Sequence, residues 1–210
     1  MLNDQLGCCF EAAIYHGDQV RTLYAGGTMV TQPDADVKYL YECTGYIDGD
    51  ESTDNGSDPA QVISYIEDNG LPEGSDGSKA KILVASFEID PRNMGDVAEA
   101  MDACGGLMVG INASANIMDS DVWDYDPNSP EIGGHEIFCA KLLTPASNVG
   151  FISWGSSLYE MTPAFWQHQV NQCTACVWQD WAEKTGKTPF GMTIPQLQNE
   201  MGAIGTGQIP

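Results

Sequence analysis

The fold of this chain is decided near its beginning, by the stretch NDQLGCCFEAAIY at residues 3–15. A glycine- and amide-rich opening ends at Cys9, and an alanine-rich run typical of a helix follows at once. A thiol in the first turn of a helix feels the positive end of the helix dipole, which favours the thiolate and lowers the thiol pKa. Cys9 is therefore predicted to be a nucleophile, with a buried helix-start thiol as the alternative. Cys8, one residue before the helix, is the weaker candidate.

Far downstream, two glycines precede His135, which opens the apolar run HEIFCAKLL at 135–143. Such glycines permit close approach of the backbone to a substrate. His16 lies on the same predicted helix as Cys9, roughly 10 Å along the axis, and is expected on the helix surface. His168 lies in a polar helical segment. His135 is therefore predicted to be the general base for Cys9.

Four motifs occur in the order found in one protein family, and they span about residue 3 to about residue 166. They are NDQLGCC at 3–9, GGH at 133–135, WG at 154–155 and MTPAFW at 161–166. In these motifs the chain resembles papain-family thiol hydrolases, and more closely papain-like proteins encoded by tailed phages and bacteria. The segment VGINAS at 109–114 is also similar to a strand that ends in D-A-S in many papain relatives. The resemblance implies hydrolysis of peptide or related amide bonds by a Cys9–His135 pair in a phage-encoded protein.

The resemblance also implies an oxyanion hole. Asn3 lies six residues before Cys9, where papain-like enzymes carry a glutamine. With the Cys9 backbone N–H it is expected to bind the developing oxyanion. Gln5 is the fallback for this role, and Asn3 can instead form a turn with its own backbone. Trp154 is expected either to shield the Cys–His pair from water or to be a core aromatic residue.

Two positions depart from the family pattern. Cys8 stands where the relatives carry an aspartate, and Ile152 stands where papain carries the asparagine that orients its histidine. A backbone carbonyl, a water molecule or a residue such as Asp124 is left to orient His135. These departures keep a second hypothesis open. The chain would then be a catalytically degenerate papain-fold protein that serves as a structural or assembly component of a phage virion, in contact with capsid or tail proteins.

The order of predicted elements favours an α+β fold, with an N-terminal helical lobe packed on an antiparallel β-sheet lobe. Together with the resemblance it predicts a papain-like domain over residues 1–178, with its helical part at about 1–75 and its sheet part at about 80–178. Residues 179–210 are predicted to form a C-terminal tail with a short helix. Hydrophobic periodicity predicts helices at 9–24, 34–46, 59–69, 96–104 and 160–170, and strands at 82–87, 107–112, 135–143, 149–154 and 173–178.

Composition argues against nucleic acid as a partner, while the resemblance implies a peptide or protein substrate and, in a phage, capsid or tail proteins. With 30 acidic and 8 basic residues among 210, the formal net charge is −22. This argues against nucleic acid, because phosphate neutralisation needs clustered Lys and Arg, and it is interpreted as a solubility feature. No apolar stretch approaches the ~18 residues that span a bilayer, and no signal-peptide pattern is visible. A phage-encoded chain is expected in the host cytoplasm or in the virion.

Two segments have metal-ligand composition, and neither predicts a metal or cofactor site. CTAC at 173–176 has the spacing of half a zinc site, but zinc needs four ligands and no second pair is visible. The two thiols are expected to be buried in a strand. The acidic segment 48–58 misses the glycine and glutamate positions of an EF-hand, and it is predicted to be a solvated loop.

Overall fold

The computed structural model describes residues 1–74, 79–142, 144, 146–154, 157–182 and 185–206. The helices are α1 (Cys9–Gly26), α2 (Asp34–Cys43), α3 (Pro59–Asn69), α4 (Met94–Cys104), α5 (Pro163–Gln169) and α6 (Ile194–Ile204). The strands are β1 (Leu71–Glu73), β2 (Lys79–Lys81), β3 (Leu83–Ile89), β4 (Leu107–Ser114), β5 (Val122–Trp123), β6 (Glu131–Leu142), β7 (Val149–Ser153), β8 (Ser157–Met161), β9 (Val170–Trp178) and β10 (Gly205–Thr206). Among the described residues, no helix has both the length and the apolar character needed to cross a membrane.

Strands β3 to β10 form one sheet, in the order β10-β3-β9-β4-β6-β7-β8-β5. Neighbouring strands in this sheet run antiparallel, except that β5 and β8 are parallel. β1 and β2 form a separate antiparallel pair. A helical N-terminal region and a mainly antiparallel sheet make an α+β fold, which confirms the predicted fold class.

Helix α1 lies against β6 and is covered on all sides along its first half. Every residue from Phe10 to Gln19 is buried, so the helix has no single apolar stripe. Gly17 permits a close approach to the sheet, since a Cβ at this position would lie 2.8 Å from Cε2 of Phe138. His16 is also buried, with its Nδ1 2.9 Å from Gln19 Oε1. The expectation that His16 lies on the helix surface is therefore wrong.

One helix begins later than the sequence predicts. Residues 160–161 belong to β8, which pairs with β7, and α5 starts at Pro163. The Oγ1 of Thr162 accepts a hydrogen bond from the backbone N of Phe165 at 3.1 Å. A threonine cap followed by proline at the first helical position fixes where the helix begins.

The C-terminal residues return to the sheet. Leu197 and Met201 of α6 are fully buried, and β10 pairs with β3 at the sheet edge. Trp181 is buried as well, and its Nε1 donates to the carbonyl oxygen of Ala103 at 2.9 Å. The short helix predicted for the tail is thus part of the core packing.

Replacing Gly17 with alanine is expected to destabilise the protein by about 1–3 kcal/mol, the usual range for overpacking. The Phe138 ring has no room to move away, because Gly106 approaches it equally closely. Gly202→Ala in α6 is the matched control. A Cβ there would meet only Phe87 at an ordinary 3.7 Å, so helix propensity should stabilise that variant by up to ~1 kcal/mol. Urea unfolding measures both variants, and equal effects would contradict tight packing of α1 on β6.

Candidate active site

Two adjacent thiols stand at the start of α1, and the structure separates them. Cys8 is the N-cap residue and is fully buried, with its Sγ 3.8 Å from the carbonyl oxygen of Met1. Cys9 is the first residue of α1, is partly exposed, and lines a cleft of about 320 Å³. Neighbouring residues of a helix point about 100° apart. The buried Cys8 sulfur therefore faces the core while Cys9 faces the cleft.

The cleft brings together the two predicted catalytic residues, Cys9 and His135. Its wall comes from the start of α1, the segment that precedes α3, and strands β4, β6 and β9. The backbone N–H of Glu136, the residue after His135, lies close enough to the Cys9 sulfur to stabilise its thiolate. The lining residues are Cys9, Phe10, Asn55, Gly56, Ser57, Pro59, Gly110, Ile111, Gly134, His135, Glu136, Asn171 and Gln172.

His135 is held at one edge by a hydroxyl group and on one face by an aromatic ring. Its Nε2 lies 2.7 Å from Ser153 Oγ. The imidazole stacks on Trp154, with ring centroids 5.0 Å apart and planes 19° apart. Because Ser153 engages Nε2, Nδ1 is the ring nitrogen left to exchange a proton with Cys9. Proton uptake at Nδ1 requires the tautomer in which Nε2–H donates to Ser153.

Ser153 is the residue that reasoning from sequence missed. The family pattern directed attention to Ile152, one residue earlier, as the position of the missing orienting side chain. Successive side chains of a strand point to opposite faces, so Ile152 and Ser153 do not both face His135. Ile152 is instead opposite Phe138 in the β6–β7 register. Strand alternation was the signal available in the sequence, since a hydroxyl stands one position after the expected amide.

The other residues considered for the pair lie elsewhere. Asp124 accepts a hydrogen bond from Thr162 Oγ1 at 2.6 Å, beside the start of α5. His168 is exposed and stacks on Tyr125, with ring centroids 4.0 Å apart. Neither Asp124 nor His168 lines the cleft.

Trp154 covers His135 in a strained backbone conformation. Its φ is +33°, in the left-handed region that residues other than glycine rarely adopt. Its ring packs on the fully buried Trp123, with centroids 5.5 Å apart, and Trp123 contacts Phe151 and Phe165. Such strain costs about 1–3 kcal/mol and persists only where the surroundings impose it, commonly at functional sites. The Trp154 ring covers one face of the His135 imidazole, which is the arrangement needed to shield that face from water.

Burial sets the ionisation of the Cys–His pair. Desolvation raises the pKa of Cys9 to about 11, although the nearby backbone N–H of Glu136 opposes this rise. Desolvation also lowers the pKa of His135 to about 4. The helix dipole contributes about 0.3–1 kcal/mol, less than the ~1.4 kcal/mol of one pKa unit. The expectation of a lowered Cys9 pKa is therefore wrong, and at neutral pH the pair is a thiol beside a neutral imidazole.

The acidic segment 48–58 supports the residues that precede Cys9. Asp54 Oδ1 accepts hydrogen bonds from the backbone N of Gly7 at 2.8 Å and from the hydroxyl of Tyr41 at 2.9 Å. Ser57, later in the same segment, lines the cleft. The segment is a loop, as predicted, but it packs on the site as well as facing solvent.

The predicted oxyanion donors lie outside the cleft lining. Asn3 is in a turn, and its Oδ1 is buried with no hydrogen-bond partner among the described residues. Gln5 is exposed in the same turn. The N-cap side chain makes no hydrogen bond to the first turn of α1, so the Cys9 backbone N–H is not capped in this way. The oxyanion role of Asn3, with Gln5 as fallback, stays a prediction.

The thiols of Cys173 and Cys176 lie in β9, and both are buried. Residues three apart in a strand point to opposite faces of the sheet. The two sulfurs are therefore not placed to share one metal ion. Their burial in a strand confirms the prediction for this segment.

A larger cavity, of about 570 Å³, lies beside the second half of α1. Its two cationic side chains are paired with buried Asp18, at 2.9 Å from Arg21 and 2.6 Å from Lys81. Asp180 also lies within 3.7 Å of Lys81. The lining of this cavity contains neither cysteine nor histidine. We interpret it as a structural ion-pair network that ties α1 to β2, not as a reactive site.

Comparison with known proteins finds likeness in structure only. No protein-family model and no curated protein sequence matches the chain. Xylellain, a cysteine protease from Xylella fastidiosa, matches with a TM-score of 0.64 and 12% identity, covering 81% of this chain and 79% of that chain. The clostridial cysteine protease Cwp84 matches with a TM-score of 0.60 and 11% identity, covering 81% of this chain and 52% of that chain. Bromelain from Ananas comosus, in complex with the E64 inhibitor, matches with a TM-score of 0.54 and 11% identity, covering 82% of this chain and 90% of that chain.

The chain has a papain-like fold. At these identities the likeness concerns the fold and not the activity. The papain-like arrangement agrees with the predicted helical lobe on an antiparallel sheet. Within this papain-like fold, Cys9 at the start of α1 and His135 near the start of β6 line one cleft.

The Cys9 thiol is expected to stay un-ionised until strongly alkaline pH. With a pKa of about 11, its alkylation by iodoacetamide should rise about tenfold per pH unit from pH 7 to 10, because the thiolate is the reactive form. Mass spectrometry of the peptide that carries Cys9 measures the rate. Cys43, another partly exposed thiol, is the internal reference for reagent access. A constant rate from pH 5 to 8 would show a preformed thiolate–imidazolium pair and overturn this expectation.

Ser153→Ala is expected to lower kcat by 10-fold or more, within the roughly 10²–10⁴-fold contribution of general acid–base catalysis. Without the Ser153 hydroxyl the imidazole has no fixed tautomer. Nitrogen NMR should show a protonated Nε2 on His135 in the parent protein and mixed tautomers in the variant. Ile152→Val is the matched control and should change neither measurement. Full activity with an unchanged spectrum in Ser153→Ala would show that Ser153 does not position His135.

Proposed function

We propose that this chain is a thiol hydrolase that cleaves peptide or related amide bonds, with Cys9 as nucleophile and His135 as acid and base. The observation that carries the proposal is the shared cleft, which both Cys9 and His135 line. Ser153 leaves the imidazole one free nitrogen for proton transfer. The cysteine proteases among the structural neighbours support this reaction class at the level of the fold.

The proposed reaction begins with the thiol and the neutral imidazole. Cys9 Sγ attacks the substrate carbonyl carbon while Nδ1 of His135 takes the thiol proton. When the C–N bond breaks, the leaving amine takes that proton from the imidazolium and a thioester remains on Cys9. Water then attacks the thioester, with His135 accepting a proton from water and returning it to the sulfur. The carboxylic acid product leaves and the enzyme returns to its starting state.

The tetrahedral intermediate carries a negative oxygen that needs hydrogen-bond donors. The Cys9 backbone N–H, at the start of α1, is one donor we propose. The side-chain amide of Asn3 is the second, with Gln5 as its fallback. The donor in this role is the Nδ2 amide of Asn3, whose Oδ1 is buried with no hydrogen-bond partner among the described residues.

A phage origin is a finer proposal that the sequence motifs alone support. It places the chain in the host cytoplasm or in the virion, and none of the three solved structures named above is a phage protein. The competing function, a degenerate virion component that contacts capsid or tail proteins, drew its support from Ile152, the strong negative charge and the extra thiols. The contact between Ser153 and His135 bears only on the part that rested on Ile152.

Cys9→Ala is expected to lower hydrolysis of a mixed fluorogenic peptide library by at least about 10³-fold, because it removes the nucleophile. Cys8→Ala is the matched control and should retain activity, since the Cys8 sulfur is buried outside the cleft. The epoxide inhibitor E-64 should label Cys9 alone, and His135→Ala should slow that labelling. Circular dichroism checks that each variant is folded.

Two outcomes would change the proposal. Activity lost in Cys8→Ala but kept in Cys9→Ala would move the nucleophile by one residue. If the parent protein neither hydrolyses peptides nor reacts with E-64, and the chain is found in assembled phage particles, the virion-component function replaces the enzyme.

A further inference from the structure

Glu136 is a buried acid in the wall of the proposed catalytic cleft. It follows His135 directly, is only 6% exposed, and lines the cleft with Gly110 and Gln172. Its Oε1 is buried and has no hydrogen-bond partner among the described residues. Buried carboxyl groups are normally paired or hydrogen-bonded. An unpaired one at this position therefore requires an explanation.

The space beside Glu136 is lined by oxygen acceptors. Glu136 Oε2 and Asn171 Oδ1 both lie close to Gly110, at 3.1 and 2.9 Å from where a Cβ of that residue would stand. The amide nitrogen of Asn171 is committed to Asn112 Oδ1 at 2.8 Å, which leaves its oxygen to face the cleft. These two acceptor oxygens therefore lie next to the space that a side chain at position 110 would fill. Such a space suits a ligand group that carries several N–H donors.

No positive charge of the protein neutralises Glu136 in this cleft, because none of the described residues in its lining is Lys or Arg. The titratable groups that interact electrostatically with Glu136 are the thiols of Cys9 on α1, Cys139 on β6, and Cys173 and Cys176 on β9. The imidazole of His135 lines the same cleft. β4 contributes no titratable side chain. Burial raises the pKa of Glu136 well above its usual range. Burial thus favours the protonated carboxyl group in the free protein.

We infer that Glu136 is a specificity-determining residue that selects substrates with a cationic side chain, arginine or lysine, beside the scissile bond. The inference rests on the proposed function and names its substrate class. A guanidinium or ammonium group entering the cleft supplies both the missing positive charge and the N–H donors for Glu136 and Asn171. The net charge of −22 also favours the approach of a basic peptide.

Cation binding is coupled to the release of one proton. The Glu136 carboxyl gives its proton to solvent and forms an ion pair with the substrate cation. Because burial favours the protonated carboxyl in the free protein, this release becomes easier as pH rises. Preference for a cationic over a neutral side chain therefore increases with pH, by up to tenfold per unit while Glu136 is protonated in the free protein.

The test compares peptide substrates that carry arginine or citrulline at each position around the scissile bond. Citrulline has nearly the shape of arginine but no charge. At one position the parent protein should prefer arginine by at least 10-fold in kcat/KM, and the ratio should rise from pH 6 to 8. Glu136→Gln should bring the ratio close to one at every pH, whereas Glu131→Gln, at an exposed position of the same strand, should leave it unchanged. The citrulline substrate measures any general loss of activity in each variant.

A binding measurement separates this inference from the proposed function, since it needs no catalysis. Titration calorimetry of arginine amide in buffers of different ionisation enthalpy should show binding with release of about one proton, weakened at least 10-fold in Glu136→Gln. Equal binding of arginine amide and citrulline amide, or an arginine-to-citrulline ratio that does not change with pH, would overturn the role of Glu136. Preference for citrulline would show that the protonated carboxyl acts as a donor instead. Cation binding without hydrolysis would support the role of Glu136 and contradict the proposed function.

Discussion

The close packing of α1 on β6 is the constraint on which the rest of the site depends. Cys9 is the first residue of α1 and His135 lies near the start of β6, so the relative position of these two elements sets the relation of sulfur to imidazole. Gly17 lets the helix approach the Phe138 ring more closely than any side chain would allow. The core is densely packed on both sides of this contact. A displacement of the helix would therefore be felt directly at the reactive pair.

The same packing removes water from the pair and so determines its chemistry. Desolvation disfavours the thiolate of Cys9 and the imidazolium of His135 alike. The partner of the imidazole is the neutral hydroxyl of Ser153, which stabilises a positive ring less than a carboxylate would. In the reaction we propose, charge separation occurs only when the substrate is bound. The substrate and its oxyanion contacts then supply the stabilisation that the free site lacks.

Within the part of the chain that the structure describes, several buried polar atoms near the start of α1 have no hydrogen-bond partner. Asn3 Oδ1 precedes Cys9, Glu11 Oε2 lies two residues after it, and Glu136 Oε1 lies beside His135. Unpaired polar atoms are uncommon in protein interiors, and each reduces stability. Together with the strained φ of Trp154, they mark this end of the helix as a region where packing alone does not explain the residues present. Ligand contacts are the physical reason we propose for Glu136 and Asn3.

The sequence by itself determined the α+β class, most element positions, and the cysteine and histidine that line one cleft. These features follow from local chemistry, because helix and strand periods, glycines and caps act over a few residues. Only the tertiary structure decided that Ser153 contacts His135, since the face a residue presents depends on the register of neighbouring strands. It also reversed the expected ionisation of Cys9. A helix dipole can be inferred from a few residues, but desolvation depends on every element packed around the sulfur, and here desolvation is the larger effect.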